Sequence, residues 1–106
     1  MSGLRHNTGK LKWSLVDYPS LEPLVKVLEF GTEKYSAENS KRGLQTREII
    51  ESLLRHTYAL LENEDNDPES GLPHVGHILA NAMFLSYMIN NKPEYDNRSD
   101  NSRTTA

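Results

Sequence analysis

The chain has 106 residues, no cysteine and a net charge of −3, from 12 basic and 15 acidic side chains. This length predicts one domain, and the lack of cysteine excludes a disulfide scaffold and a thiolate metal site. The acidic balance argues against binding to nucleic acid, because the phosphate backbone attracts basic surfaces. The N-terminus lacks an apolar signal segment, and the longest apolar run, 78–89, is shorter than a membrane span. We therefore expect a cytoplasmic protein that does not contact a membrane.

The first third of the chain predicts an irregular arm followed by one helix. Residues 1–19 are mixed and turn-rich, and the apolar anchors expected to pack this arm on the body are Leu11, Trp13, Leu15 and Val16. The helix is predicted from the N-cap residue Ser20 to about Tyr35, because apolar residues recur at helical spacing. Residues 37–43 predict a polar connector.

Two further helices are predicted on either side of an acidic loop. The second helix runs over 46–61, with Thr46 as its cap, and its predicted buried stripe is Ile50, Leu53, Leu54, Thr57 and Leu61. The loop that follows, 62–71, holds five carboxylates in its first eight residues. The third helix is predicted from Pro73 to about Asn90, and it is apolar almost all round, which is typical of a central helix.

These elements predict an all-α fold, a small bundle of three main helices with an irregular N-terminal arm. The single domain is predicted over 1–92, and the polar residues 93–106 predict a disordered tail. A chain this short buries only a modest core by itself. We therefore expect the bundle to be completed by forming a homo-oligomer.

A polar stripe on the third helix is the strongest indication of a site. His74, His77 and Asn81 are spaced three and four residues apart, so they share one face among apolar neighbours. Buried polar groups need partners, which could be internal hydrogen bonds or contacts across a subunit interface. The alternative is that the stripe forms one wall of a ligand site, through metal ligation, proton transfer or base recognition.

Acidic pairs in the second helix and the loop are candidate metal ligands. Carboxylates three residues apart on a helix can hold one divalent cation from one side, and oxygen ligands suit Mg²⁺ or Mn²⁺. The first pair is Glu48 and Glu51, and the second is either Glu62 with Asp65 or Glu64 with Asp67. The alternative is a solvated charged face without an ion.

Several cationic and aromatic residues could meet a nucleotide. Arg55, beside His56, could clamp a phosphate or pair with a neighbouring glutamate. Lys34 could contact a phosphate and Tyr35 could stack on a base, although both also suit an ordinary helix end. Lys10 is a weaker phosphate candidate.

The order of several motifs resembles one family. These motifs are Asn7-Thr8-Gly9-Lys10, Leu15-Val16, the segment 30–35 with Asn39, Arg55-His56, and the block 64–74 with His77 and Asn81. Together they resemble the N-terminal dATP/dGTP diphosphohydrolase family common in phages, over roughly residues 7–90. This chain departs from the family where it has Asn39-Ser40 in place of Asn-Trp and Asn63-Glu64 in place of Gly-Glu.

The resemblance implies an all-α fold related to the MazG-like enzymes and release of pyrophosphate from a purine (deoxy)nucleoside triphosphate, with Mg²⁺ or Mn²⁺. MazG-like enzymes hold their metals with E-x-x-E and E-x-x-D pairs, and the acidic pairs above match those letters. In this interpretation Glu48, Glu51, Glu64 and Asp67 serve catalysis through the metal, and a carboxylate or His74 accepts a proton. Nucleotide contacts are expected from Lys10, Lys34, Tyr35, Asn39, Arg55, His56, His77 and Asn81.

A second hypothesis has the same pocket bind a nucleotide without cleaving it. A phage could use such a protein to sequester a nucleotide-derived messenger of host defence. A purely structural role would leave the stripe of two histidines and an asparagine unexplained.

Overall fold

The computed structural model describes residues 9–34 and 45–99, and most of this part of the chain is helical. We number the three α-helices α1 (Glu22–Lys34), α2 (Thr46–Leu61) and α3 (His74–Asn91). Within the described ranges there is no strand, only an isolated bridge between Asn66 and Pro73. The predicted all-α class and the three main helices are therefore confirmed. No helix in the described ranges has the length and apolar character needed to span a membrane.

Helix α3 lies at the centre, because it packs against both α1 and α2. Its contact with α1 depends on Gly76, which is buried. A Cβ atom at that position would lie 2.5 Å from the backbone oxygen of Pro23 and 2.9 Å from Cγ2 of Val27. The missing side chain thus allows the two backbones to approach closely.

The buried face of α2 differs from the predicted stripe. Thr46 and Ile49 are buried, each with 1% exposure, whereas Leu54, Thr57 and Leu61 are exposed. Ile50 and Leu53 are half-buried. The periodicity of the sequence correctly identified a helix. Both faces of α2 carry apolar residues, however, and the face that packs against α3 is not the predicted one.

The N-terminal arm forms two short 3-10 helices, Trp13–Leu15 and Tyr18–Leu21. The apolar anchors predicted to pack it on the body do not do so, since Trp13 is 68% exposed and Leu15 is 81% exposed. Ser20 belongs to the second 3-10 helix, and α1 begins after it at Glu22.

The sequence predicted that the segment after α3 is a disordered tail. Its first residues instead contact the start of α2. Pro93–Tyr95 form a 3-10 helix, and the carbonyl oxygen of Tyr95 accepts a hydrogen bond from Thr46 at 3.4 Å. The side chain of Asn97 accepts a hydrogen bond from the backbone N–H of Arg47 at 2.9 Å. Asn97 therefore caps α2 from a distance of fifty residues, whereas Thr46, the predicted cap, is the first helical residue. The rest of the predicted tail, 100–106, lies outside the described residues.

Candidate functional site

A tight turn at the end of α2 sets the position of the acidic loop. Asn63 has a left-handed backbone with φ of 66°, and its N–H donates to the carbonyl of Leu60 at 2.9 Å. The N–H of Glu64 donates to the carbonyl of Ala59, also at 2.9 Å. This pair of bonds is the Schellman motif, in which glycine is the usual left-handed residue and asparagine is tolerated. The turn is therefore kept even though this chain has Asn63 where the family pattern has glycine.

Backbone hydrogen bonds then fold the loop back towards its own start. The N–H of Asp67 donates to the carbonyl of Leu72, and the N–H of His74 donates to the carbonyl of Asp65, each at 2.8 Å. Gly71, with φ of 73°, donates to the carbonyl of Asp67 at 2.7 Å. The first residues of α3 consequently lie beside the acidic loop.

A chain of side-chain contacts joins α2, the loop and α3. Nδ1 of His56, on α2, lies 2.8 Å from Nδ1 of His74, the first residue of α3. Nε2 of His74 lies 2.7 Å from Oε1 of Glu64. Because a carboxylate only accepts, Nε2 of His74 donates to it, and Nδ1 of His74 is left to accept from His56. His74 is buried at 3% exposure, so both of its ring nitrogens are satisfied inside the protein.

A second set of contacts surrounds Asp67. Its Oδ2 accepts hydrogen bonds from the hydroxyl and the backbone N–H of Ser70, at 2.9 Å and 3.0 Å. The same hydroxyl lies 2.8 Å from Nε2 of His77, and that nitrogen lies 3.6 Å from Oδ2 of Asp67. The ring of His77 stacks on the ring of His56, with centroids 4.4 Å apart. The sequence did not predict a role for Ser70. The signal that could have indicated one is its position three residues after Asp67, because serine and aspartate side chains in loops commonly form such local hydrogen bonds.

We call His56, Glu64, Asp67, His74 and His77 the histidine–carboxylate cluster. Within the described ranges, one group of three potential metal-ligating side chains has its ligand atoms within 4.8 Å of one another, and it consists of His56, Asp67 and His74. The cluster stands at the N-terminus of α3, where the helix dipole favours negative charge.

The surroundings of the cluster alter two of its pKa values. Burial lowers the pKa of His56, and the nearby rings of His77 and His74 lower it further. Burial by itself would raise the pKa of Asp67, but the two hydrogen bonds from Ser70 and the nearby rings of His77 and His56 together lower this pKa. At neutral pH these shifts favour a neutral imidazole beside an ionised carboxylate, which are the forms that bind metals.

Asn81 continues the polar stripe along the contact between α2 and α3. Its amide nitrogen donates to Oγ of Ser52 at 3.2 Å and to the carbonyl of His77 at 2.9 Å. The sequence left open whether the stripe forms internal hydrogen bonds or one wall of a ligand site. Asn81 forms internal hydrogen bonds. The histidines also have internal partners, but these partners include carboxylates that reach the surface.

The other predicted site residues lie apart from the cluster. The carboxylates of Glu48, Glu51, Glu62 and Asp65 are on exposed residues, and none belongs to a group of three potential ligands within the described ranges. Arg55 and Lys10 are exposed as well. Lys34 ends α1, but its side chain lies outside the described part of the structure, as do Tyr35 and Asn39.

An apolar hollow lies on the opposite side of α2. It is lined by Leu54, Thr57, Tyr58, Leu60 and Leu61. Because an α-helix turns by about 100° per residue, Leu54 and Tyr58 point away from His56, which lies two residues from each. These two residues of the hollow therefore face away from the cluster.

Comparisons with known proteins place the chain in a family. The family model described as dATP/dGTP diphosphohydrolase, N-terminal, matches residues 1–98. A dATP/dGTP diphosphohydrolase of Salmonella phage PMBT28 is 34% identical over 98 residues, which are 92% of this chain and 33% of that protein. The chain thus spans about a third of the length of that relative. No solved structure matches the chain. The relation to MazG-like enzymes stays a prediction, whereas the match over nearly the whole chain shows that it belongs to the N-terminal dATP/dGTP diphosphohydrolase family.

Proposed function

We propose that the chain hydrolyses a purine (deoxy)nucleoside triphosphate to the monophosphate and pyrophosphate. The relative from Salmonella phage PMBT28 is named a dATP/dGTP diphosphohydrolase, and this name supports the substrate class. The observation that carries the proposal is the histidine–carboxylate cluster, in which residues from α2, the loop and α3 meet at one end of the bundle. Titratable groups that meet in one place, with the pKa values of His56 and Asp67 shifted, are typical of functional sites.

In the proposed reaction a water oxygen bonds to the α-phosphorus, and the bond from that phosphorus to the bridging oxygen breaks. The pyrophosphate leaves with the electron pair of the broken bond, and the water loses a proton to a base. Glu64 is the acceptor that the geometry favours, because its side chain is 52% exposed and hydrogen-bonded to the cluster. A carboxylate has two oxygens, so one bond to His74 leaves capacity for the proton. His74, the other predicted acceptor, is buried with both ring nitrogens engaged.

The phosphate charge would be met at the same end of the bundle. Arg55 is exposed beside His56, and among the described residues it forms no ion pair with Glu51 or Glu62, the partners considered from the sequence. It contributes a positive charge that lowers the pKa of His56. Arg55 is therefore the described residue that we assign to phosphate binding.

The proposed hydrolysis uses a divalent cation, which would polarise the phosphates and favour ionisation of the attacking water. The sequence suggested Mg²⁺ or Mn²⁺ between the acidic pairs. Within the described residues these carboxylates form no group of three potential ligands among themselves, so an ion held by one of the acidic pairs stays a prediction.

The experiment uses the whole chain with dATP, dGTP and pyrimidine triphosphates in the presence of Mn²⁺, and chromatography of the products. We expect monophosphate and pyrophosphate from the purine substrates. Glu64→Gln keeps a hydrogen-bond acceptor for His74 but binds a proton poorly, so the rate should fall by about 100-fold or more. Glu94→Gln, an exposed glutamate outside the cluster, is the matched control. Retention of an intact nucleotide without products, or an unchanged rate in Glu64→Gln, would contradict the proposal.

Homo-oligomerisation and a cytoplasmic location stay predictions. The hollow on α2, with Leu61 at 76% exposure, is the apolar surface that a second copy would cover. Isolated apolar side chains on a surface are ordinary, but a continuous group marks a contact surface more often.

A further inference from the structure

We infer that His56, Asp67 and His74 form a mixed nitrogen and oxygen site that binds one transition-metal ion in preference to Mg²⁺. Glu64 is assigned as the residue that orients His74 in this site. The inference rests on the proposed function for the role of the ion, but binding itself can be measured without any hydrolysis.

The spacing of the donor atoms is close to what one ion needs. Two nitrogens at about 2.1 Å from a tetrahedral ion lie about 3.4 Å apart. Nδ1 of His56 and Nδ1 of His74 are 2.8 Å apart, so these two nitrogens would need to separate by about 0.6 Å. All three donor atoms, including a carboxylate oxygen of Asp67, lie within 4.8 Å of one another. A cation would replace the proton that the two nitrogens share.

The partners of the donor residues are those that a metal site requires. The hydrogen bond from Nε2 of His74 to Glu64 places the proton on Nε2, which leaves the lone pair of Nδ1 directed at His56. A carboxylate behind a metal-binding imidazole fixes its tautomer and its orientation in just this way. Ser70 similarly holds Oδ2 of Asp67 with two hydrogen bonds, which fix the position of this carboxylate.

The chemistry of the donors decides which ion is favoured. Mg²⁺ prefers oxygen ligands and keeps several waters, whereas imidazole suits Mn²⁺ weakly and Co²⁺, Ni²⁺ and Zn²⁺ better. Two of the three donors here are imidazole nitrogens, and one of them, on His74, is buried. Of the two ions suggested by the sequence, the structure therefore favours Mn²⁺, and it extends the choice to later transition metals.

The test is isothermal titration calorimetry of the whole chain after treatment with a chelator and desalting, with Zn²⁺, Mn²⁺ or Mg²⁺ as the titrant. We expect one equivalent of Zn²⁺ to bind most tightly, Mn²⁺ less tightly, and Mg²⁺ at least about 100-fold more weakly than Zn²⁺. In a separate experiment, Co²⁺ bound to the protein should show visible absorption bands that are stronger than those of the hexa-aqua ion in water.

Three variants identify the ligands, and circular dichroism checks that each is folded. Asp67→Asn should lower Zn²⁺ affinity by about 100-fold or more, and Glu64→Ala by about 10- to 100-fold, because second ligand shells have effects of that size. Asp65→Asn is the control, because Asp65 is an exposed acid of the same loop that does not belong to the group of three. The Zn²⁺ affinity of this variant should equal that of the unchanged protein.

The outcomes separate this inference from the proposed function. Mg²⁺ binding as tightly as Zn²⁺, or a loss of affinity in Asp65→Asn and not in Asp67→Asn, would overturn the metal site while leaving hydrolysis possible. Tight Zn²⁺ binding that needs Asp67, without turnover of any nucleotide, would support the site and overturn the proposed activity.

Discussion

Replacing Gly76 by alanine tests how closely α1 and α3 are packed. On an exposed helix position this change would stabilise the protein by up to about 1 kcal/mol, because alanine is the better helix former. Here the new Cβ atom would lie 2.5 Å from the backbone oxygen of Pro23, and Cβ atoms essentially never come within 3.0 Å of such an atom. The contact is with backbone, which cannot rotate away as a flexible side chain would.

Helix α1 must therefore move by about 0.5 Å to accept this methyl group. Overpacking of this kind costs about 1–3 kcal/mol. After the gain in helix propensity is subtracted, we expect Gly76→Ala to lower the free energy of unfolding by up to about 2 kcal/mol. In a domain of this size each kcal/mol lowers Tm by about 4 to 8 °C.

The assay is urea denaturation followed by circular dichroism at 222 nm, together with a thermal melt. Ala82→Gly, at an exposed position of the same helix, measures the propensity difference without the steric contact. It should cost about 1 kcal/mol. If Gly76→Ala raised the stability by about as much as Ala82→Gly lowers it, the close approach of α1 and α3 would be refuted.

Three further predictions concern other parts of the molecule. In metal-free protein the lowered pKa of His56 means that the unfolded state binds a proton more readily. The free energy of unfolding should therefore fall as the pH drops below about 6.5, and His56→Gln should flatten this slope in denaturation series at several pH values. Asn97→Ala removes the acceptor for the N–H of Arg47 and should cost about 1 kcal/mol, whereas the nearby Ser99→Ala should change the stability little; equal values for both would contradict the capping role. Tyr58→Glu introduces a charge into the apolar hollow and should lower the molecular mass measured by sedimentation equilibrium, if the sequence-based expectation of a homo-oligomer is right; an unchanged oligomer would exclude this surface.

The helical elements could be predicted because their signals are local. The apolar periodicity and the flanking loop residues placed α2 at Thr46–Leu61 and α3 within a residue of its observed ends. The left-handed Asn63 and Gly71 also follow from residue type, since these side chains tolerate that conformation. Each of these features depends on residues within a few positions of one another.

The sequence named all five residues of the histidine–carboxylate cluster as site candidates, but it did not predict which of them contact one another. It paired acids by their spacing of three, whereas the structure joins Glu64 to His74 and Asp67 to Ser70. Spacing along a helix predicts a shared face, but these acids lie in a loop whose folded path, rather than a helical repeat, sets their neighbours.

What the sequence by itself determined is therefore the composition of the bundle: three helices, their limits, and a concentration of imidazoles and carboxylates near residues 56–77. Only the tertiary structure decided which face of α2 is buried, that the segment around Asn97 caps this helix, and that His56 meets His74. The physical reason is that secondary structure follows from interactions over three or four residues. Burial and side-chain pairing instead depend on how helices pack across long stretches of chain, where a small residue such as Gly76 sets how closely they approach.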